Sequence, residues 1–357
     1  MVEICSIGSL LERKRTKAKD KYHNVPVYAV TNNRGFVLSS SLHDFDIFSD
    51  DTSNYMVVSK NDFAYNPSRL NVGSIAYFKE EGNGLISPMY VVFHADENKI
   101  LAEYLYIVIK SEFVRNKIDA LKEVGARFRF DFNRWGLIKI PIPSLEEQTR
   151  IVGILDTFTS AIDNLKEQIA QRRRQYEYYR DQLLDLEGKP GVEMKTLGEL
   201  SYKISSGRNK NKEDQGQYPV FGSTGIIAYT NSYLFDKPLI LVARVGANAG
   251  YVYMINEKCD VTDNTLIVET KEDNNRKFIF YYLVYMNINQ FAKGGGQPLI
   301  TGGLLKDLLI PLPPLSEQQR IVSILDTFEA SIQNLEAQLK QREKQYEYYR
   351  NKLLTFE

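Results

Sequence analysis

Residues 140–187 read IPIPSLEEQTRIVGILDTFTSAIDNLKEQIAQRRRQYEYYRDQLLDLE, and residues 310–357 read IPLPPLSEQQRIVSILDTFEASIQNLEAQLKQREKQYEYYRNKLLTFE. The two stretches align without a gap at an offset of 170, and 29 of 48 positions are identical. The hexapeptide QYEYYR is kept whole, at Gln175–Arg180 and Gln345–Arg350. A duplication of this size sets the architecture before any finer reading: variable region, repeat, variable region, repeat.

Each repeat has the periodicity of a helix. From Ile151, apolar residues recur at Leu155, Phe158, Ile162, Leu165 and Ile169, then at Tyr176, Tyr179, Leu183 and Leu186. The second copy gives Ile321, Leu325, Phe328, Ile332, Leu335, Leu339, Tyr346, Tyr349, Leu353 and Phe356. Steps of four and three alternate, which predicts the a/d seam of a coiled coil over about five heptads. Arg172 and Arg342 are the charged seam positions. They read either as polar residues that fix register or as cations snorkelling from a frayed seam. Pro141 and Pro143, like Pro311, Pro313 and Pro314, forbid an earlier helix start. Ser144 with Glu147 predicts a capping box, and Gly188 with Pro190 predicts the end of the first helix. A helix of ~43 residues would span ~65 Å and needs a partner for its seam. The other copy is that partner, and antiparallel pairing follows most simply, giving a pseudo-two-fold molecule. Tyr176, Tyr179 and their equivalents are expected between the helices. Tyr178 and Tyr348 are expected to face away, available to a partner subunit or to a globule folding back.

The variable regions are distant copies of each other. Val2–Leu10 (VEICSIGSL) lines up with Val192–Leu200 (VEMKTLGEL), and Pro26-Val27-Tyr28 with Pro219-Val220-Phe221. Arg69 with Val72-Gly73-Ser74 resembles Arg244-Val245-Gly246-Ala247, and Gly125 and Gly295 hold matching places. Short β-rich runs with one helical stretch each, near Ala102–Val114 and Arg276–Asn287, predict an α+β fold. The expected division is two globular β-rich domains, 1–143 and 189–313, separated by helical segments 144–188 and 314–357.

Composition excludes several classes. Forty-five basic and 45 acidic residues leave no net charge, so no global field advertises a polyanionic partner, although a local basic patch remains allowed. Two cysteines and three histidines, none in spaced clusters, build no metal site and fit a reduced, cytoplasmic setting. No apolar run suits a signal peptide or a membrane span. There is no phosphate-binding loop, nucleophile elbow or paired-histidine motif. Gly246–Gly250 follows a strand as a tight turn, and Tyr65-Asn66-Pro67-Ser68 lacks the second proline and the aromatic of an adenine-methyltransferase motif. The expectation is a chain with no catalytic residue of its own.

Basic residues nonetheless gather at matching places. Arg13, Lys14, Arg15, Lys17, Lys19 and Lys21 follow the first anchor, and Arg208, Lys210 and Lys212 follow the second. Such loops suit phosphates, where cations release counterions. Reading base edges calls for Arg, Asn, Gln or Lys on loops. The candidates are Asn66, Arg69, Asn71, Arg127, Arg129 and Arg134 in the first region, and Arg244, Asn248, Gln297 and Lys306 in the second. A non-DNA coiled-coil scaffold or adhesin-like protein with two ligand domains is the alternative.

The four-part layout, PIPSLEEQTRIV (141–152) and PLPPLSEQQRIV (311–322) leading into the helices, DFAYNPSRLNVGSIAYF (62–78) and GGGQPLITGG (294–303) together carry a resemblance. The chain resembles the DNA specificity subunit of Type I restriction-modification systems over essentially its full length. The resemblance implies that each variable region reads one half of a bipartite target in double-stranded DNA. It implies that the helices set the spacing and dock two modification (methyltransferase) subunits, with restriction (translocase/nuclease) subunits joining them. S-adenosylmethionine, ATP and Mg are then expected on the partners, not on this chain.

Overall fold

The computed structural model describes residues 2–356 except 20–21, 23–24, 33, 43–50, 122–127, 211–212 and 295–297. The chain divides into two compact units, residues 1–165 with 338–357, and residues 166–337. Each unit combines one β-rich globule with segments of both helical repeats.

The first unit begins with β1 (Glu3–Ser6), β2 (Leu11–Lys14), β3 (Val27–Thr31), β4 (Gly35–Leu38) and β5 (Met56–Ser59). It continues with β6 (Phe63–Tyr65), β7 (Ile75–Tyr77), β8 (Asn83–Ile86), β9 (Val91–Ala95) and β10 (Lys139–Ile142). These form sheets of order β2-β9-β6-β7 and β4-β3-β8-β5, and the pair β1-β10. Every residue of β6 and β7 is buried, which suits a strand covered on both faces. Phe63 stacks on Phe93 at 5.0 Å between ring centroids, and Phe130 and Trp135 meet at 4.9 Å. The expected single helical stretch is two helices, α1 (Ala102–Ile109) and α2 (Glu112–Ala120). Ser111 divides them because its hydroxyl accepts from Val114 N–H, starting a new helix.

The long helix α3 (Leu145–Leu184) leads to the second unit. There follow β11 (Glu193–Thr196), β12 (Ser201–Ser206), β13 (Tyr218–Gly222), β14 (Gly225–Thr230) and β15 (Leu239–Ala243). After β16 (Val252–Ile255), β17 (Asp260–Val261) and β18 (Thr265–Thr270) come α4 (Arg276–Tyr285), α5 (Gly302–Asp307), β19 (Leu309–Leu312) and α6 (Leu315–Leu354). The sheet order β12-β18-β15-β16 repeats β2-β9-β6-β7, the hairpin β13-β14 repeats β3-β4, and β11-β19 repeats β1-β10.

Both long helices start where the prolines allow. Ser144 Oγ accepts from Glu147 N–H at 3.3 Å, but the Glu147 carboxylate turns to Arg150, so the predicted capping box is only half formed. Pro314 replaces Ser144 in the second copy, and its carbonyl accepts from Glu317 and Gln318 N–H. The first helix ends at Leu184, four residues ahead of Gly188, whose φ is +72°. Within the second unit α3 and α6 run antiparallel. Arg173 pairs with Glu336 at 2.6 Å, Tyr176 OH meets Glu329 at 3.4 Å, and the Tyr179 and Phe328 rings stack at 5.4 Å. In the first unit Phe158 and Tyr349 stack at 5.2 Å, with the same interplanar angle of 28°.

The first turns of each helix pack on a globule. Ile151 and Leu155 belong to the first core, and Ile321, Val322 and Leu325 to the second. The Glu-Gln pair of the repeat explains how. Gln148 is fully buried; its Oε1 accepts from Leu101 N–H at 2.8 Å, and its Nε2 donates to the Lys99 and Pro143 carbonyls at 2.9 Å. Gln318 does the same with Asn275 N–H and the Pro313 carbonyl. Replacing Gln148 with Leu keeps the volume but strands buried backbone groups. Chemical denaturation of Gln148→Leu is expected to show a loss of about 2–4 kcal/mol.

Candidate nucleic-acid interface

In the first globule, the turn between β3 and β4 and the loop between β6 and β7 come from different sheets and face one cleft of about 1000 Å³. The turn supplies Thr31, Asn32 and Arg34, and the loop supplies Asn66, Ser68, Arg69 and Ser74. Met89 and Arg129 complete the wall, and among the described residues no carboxylate lines it. The backbone fixes both arms. Arg34 N–H donates to Thr31 Oγ1 at 3.0 Å, and Asn66 Oδ1 accepts from Ser68 N–H at 2.9 Å in an Asx turn. Asn66 N–H donates to the Ser74 carbonyl, closing the loop at its base. Arg34, Arg69 and Arg129 are exposed, and none pairs with a carboxylate among the described residues. Three like charges gathered around one concavity suit a polyanion.

The structure separates the remaining first-region candidates. Lys14 is committed elsewhere: its Nζ lies 2.7 Å from the buried Asp62 carboxylate, which also binds His94 Nδ1 and Ser59 N–H. Arg13 stands over the Phe132 ring at 6.0 Å, and Lys17 reaches Asn54 at 3.1 Å. Arg15 and Lys19 are exposed, and none of these five basic residues lines the cleft. Arg134 donates to the Leu121 carbonyl, and Asn71 is half-buried outside the cleft. Lys21, Gly125 and Arg127 lie outside the described residues, as do Lys212, Gly295 and Gln297.

The second globule uses the equivalent arms with other side chains. Its turn between β13 and β14 holds Ser223 and Thr224, and its loop between β15 and β16 holds Arg244 and Asn248. Asn248 Nδ2 meets the Ser223 carbonyl at 3.5 Å, so loop and turn touch. Arg244 Nη1 donates to the Asp263 carbonyl at 3.4 Å, while its buried Nε has no partner. Tyr251, 62% exposed, stands on the same loop. Arg208 and Lys210 are exposed after β12, and Lys306 is exposed in the last turn of α5. Sequence reading passed over Arg34 and Tyr251. Arg34 lies in Asn32-Asn33-Arg34-Gly35 between two β-rich runs, a hairpin signal that marks a presented side chain.

On the helices, Arg172 and Arg342 stand 5.9 Å from the centroids of the Phe328 and Phe158 rings. Ile151, Leu155, Ile162, Ile169, Ile321 and Leu325 are buried. Leu165, Ile332, Leu335, Leu339, Tyr176 and Tyr346 are half-buried. Tyr178 and Tyr348 are 59% and 61% exposed, each edge-on to Tyr179 or Tyr349. Tyr179 and Tyr349 stack on phenylalanine and remain 44% and 40% exposed.

A family model described as "Type I restriction modification DNA specificity domain" matches residues 1–172 and again 190–343. The EcoR124I/EcoR124II specificity subunit of an Escherichia coli type I restriction enzyme is 29% identical over 383 aligned positions, covering 95% of this chain and 89% of that one. The Escherichia coli EcoprrI specificity subunit is 34% identical over 205 positions, 53% of this chain and half (50%) of that protein. Among solved structures, an S subunit from M. genitalium superposes with a TM-score of 0.67 at 14% identity, covering 100% of this chain and 97% of that one. A structure concerned with complex assembly and conformational transition of the type I R-M system superposes with a TM-score of 0.61 at 19% identity, covering 99% and 98%. At these identities the two superpositions speak for the fold.

Lys14 and Arg15 are neighbours with different surroundings. Lys14→Ala is expected to cost about 1–3 kcal/mol by leaving the Asp62 carboxylate short of a buried partner. Arg15→Ala is expected to change stability by less than about 0.5 kcal/mol. Paired melting curves of the two variants check this.

Proposed function

This chain belongs to the family of type I restriction-modification DNA specificity subunits, and from that premise we propose how it reads its target. Each globule reads one half of a bipartite sequence in double-stranded DNA. The first does so through its arginine-lined cleft, with Arg34, Asn66, Arg69 and Arg129 as the groups that meet base edges and phosphates. The second presents Ser223, Arg244 and Asn248 from equivalent arms. The observation that carries this reading is the convergence of two loops from different sheets on one arginine-lined cavity. The same pair of loops, with altered side chains, recurs in the second unit. One scaffold with two different sets of donors is what two unlike half-sites require. Nothing in the comparisons favours a non-DNA scaffold.

Specificity subunits are non-catalytic, and the chemistry falls to partners. In this reading two modification subunits carry S-adenosylmethionine and methylate an adenine that has been turned out of the stack. Restriction subunits carry ATP and Mg. The paired helices set the gap between half-sites, and the assembly works in the cytoplasm beside its DNA. No helix among the described residues is long and apolar enough to cross a membrane.

The decisive experiment expresses the chain with its modification partner in a host and maps methylated adenines by single-molecule sequencing. Arg34→Ala with Arg69→Ala is expected to relax one half of the recognised sequence and leave the other intact, each arginine contributing about 1–3 kcal/mol of discrimination. An unchanged sequence in a variant that still methylates would exclude the cleft as the reading surface.

The exposed tyrosines support two docking sites of one kind. Tyr178 and Tyr179 meet at 5.4 Å and 77°, and Tyr348 and Tyr349 at 5.3 Å and 79°. Identical platforms, one in each unit, fit two copies of the same modification subunit. Tyr178→Ala with Tyr348→Ala is expected to weaken assembly by about tenfold per site, about 1.4 kcal/mol each, as read by native mass spectrometry.

A further inference from the structure

Lys110 caps the C-terminus of α1 and touches both arms of the cleft. Its Nζ donates to the Gly73 carbonyl at 2.9 Å and to the Asn32 carbonyl at 3.3 Å. Gly73 lies in the loop that carries Asn66 and Arg69; Asn32 lies in the turn that carries Arg34. Those arms belong to separate sheets, and the lysine side chain is bonded to both. Its other neighbour is the Tyr106 ring, 5.4 Å from the ammonium.

This is an expensive way to hold two loops. No carboxylate among the described residues pairs with the ammonium. Burial pulls its pKa down to about 8, and Arg115 on α2 pushes in the same direction. A methionine would fill the space without desolvating a charge. What methionine lacks is the pair of directed bonds. Gly73 adopts a φ of +92°, which favours glycine, and a Cβ there would sit 3.5 Å from Nζ. The second globule has no such lysine. Counting from Leu101 and Asn275, which Gln148 and Gln318 hold alike, Lys110 corresponds to Val284. There the equivalent loop is held by a neutral amide, Asn289 Nδ2 donating to the Ala249 carbonyl at 2.6 Å.

We propose that Lys110 is a positioning residue for base discrimination in the first globule: by bonding Asn32 and Gly73 together it holds Arg34 and Arg69 at the separation one half-site requires. The proposal rests on the cleft being the reading surface. Loosening the clasp lets either arginine reach a wrong base, so discrimination falls more than total binding. The clasp needs the charged form. Its folded-state pKa lies below the free value of 10.5, so the ammonium is lost as pH rises through about 8. The titratable groups around it are Tyr106 on its own helix, Arg115 on α2, and Tyr77 of β7, edge-on to Tyr106 at 5.3 Å. Burial and nearby Glu103 hold the Tyr77 proton on well above this range.

The test uses the assembled methyltransferase in vitro, on duplexes carrying single base changes in either half-site, between pH 7 and 9. Lys110→Met is expected to reduce discrimination in one half-site by about tenfold and to spare the other. The unsubstituted enzyme is expected to lose discrimination in that same half-site as pH rises through about 8, and Lys110→Met to show a flat profile. If Lys110→Met discriminates like the parent while Arg34→Ala does not, the clasp is overturned and the cleft stands. If Arg34→Ala and Arg69→Ala leave both half-sites unaltered, the cleft itself is overturned, and the clasp with it. Should Lys110→Met fail to assemble, the pH profile of the unsubstituted enzyme decides: a profile equally flat in both half-sites overturns the proposal.

Discussion

The side-chain amide of Gln148 stands where three chain segments meet: the turn before α1, the proline-flanked strand end before α3, and the first turn of α3 itself. Fully buried itself, it satisfies a backbone N–H and two carbonyls beside a core that includes Ile100, Ile151 and Leu155. The proline rule decides where each long helix begins, but the glutamine decides what that beginning is attached to. A globule and a helix joined only by a flexible linker could not hold a reading surface at a defined angle to its partner subunits. Joined through a buried, fully bonded amide, they move as one body within the unit.

Duplication has kept this joint and changed what lies beside it. Asp326 on α6 accepts from Tyr281 OH and pairs with Lys277, each at 2.7 Å, and burial raises the Tyr281 hydroxyl pKa. Its equivalent, Asp156, finds Ile107 and Glu103 at the corresponding places on α1. The same repeat residue is a paired anchor in one unit and, in the other, an exposed acid with no ion pair among the described residues. The loops at the cleft differ in the same manner, with Arg34 lining the cleft in the first and Thr224 occupying the matching turn in the second.

The helical repeats were legible because seam spacing is a local property, written within one turn or two. The Phe158–Tyr349 and Tyr179–Phe328 stacks fall on positions that the four-three alternation marks. Less legible was anything decided across the fold. Lys14 reads as part of a basic run until Asp62, 48 residues away, is seen to claim it. Lys110 carries no signal in its own neighbourhood; its partners are carbonyls 37 and 78 residues distant. The break between α1 and α2 turns on one serine hydroxyl, which periodicity alone does not register. Asn66 and Arg69 were visible because their loop is polar and flanked by apolar strands, whereas Arg34 hid in a four-residue turn.

The closing strands carry a further consequence. Glu3 lies opposite Ile142, and Glu193 opposite Leu312, so the first and last strands of each globule pair and its two ends lie side by side. Gln148 and Gln318, one in each repeat, bond to main-chain groups, which every amino-acid sequence supplies. A globule arranged in this way is a cassette. Genetic exchange between relatives could replace one whole, with crossovers in the repeated flanks, and the recipient helices would hold it through the same main-chain bonds. New target sequences would then arise by recombination in a single step, rather than by the slow accumulation of point substitutions in a cleft that must remain functional throughout.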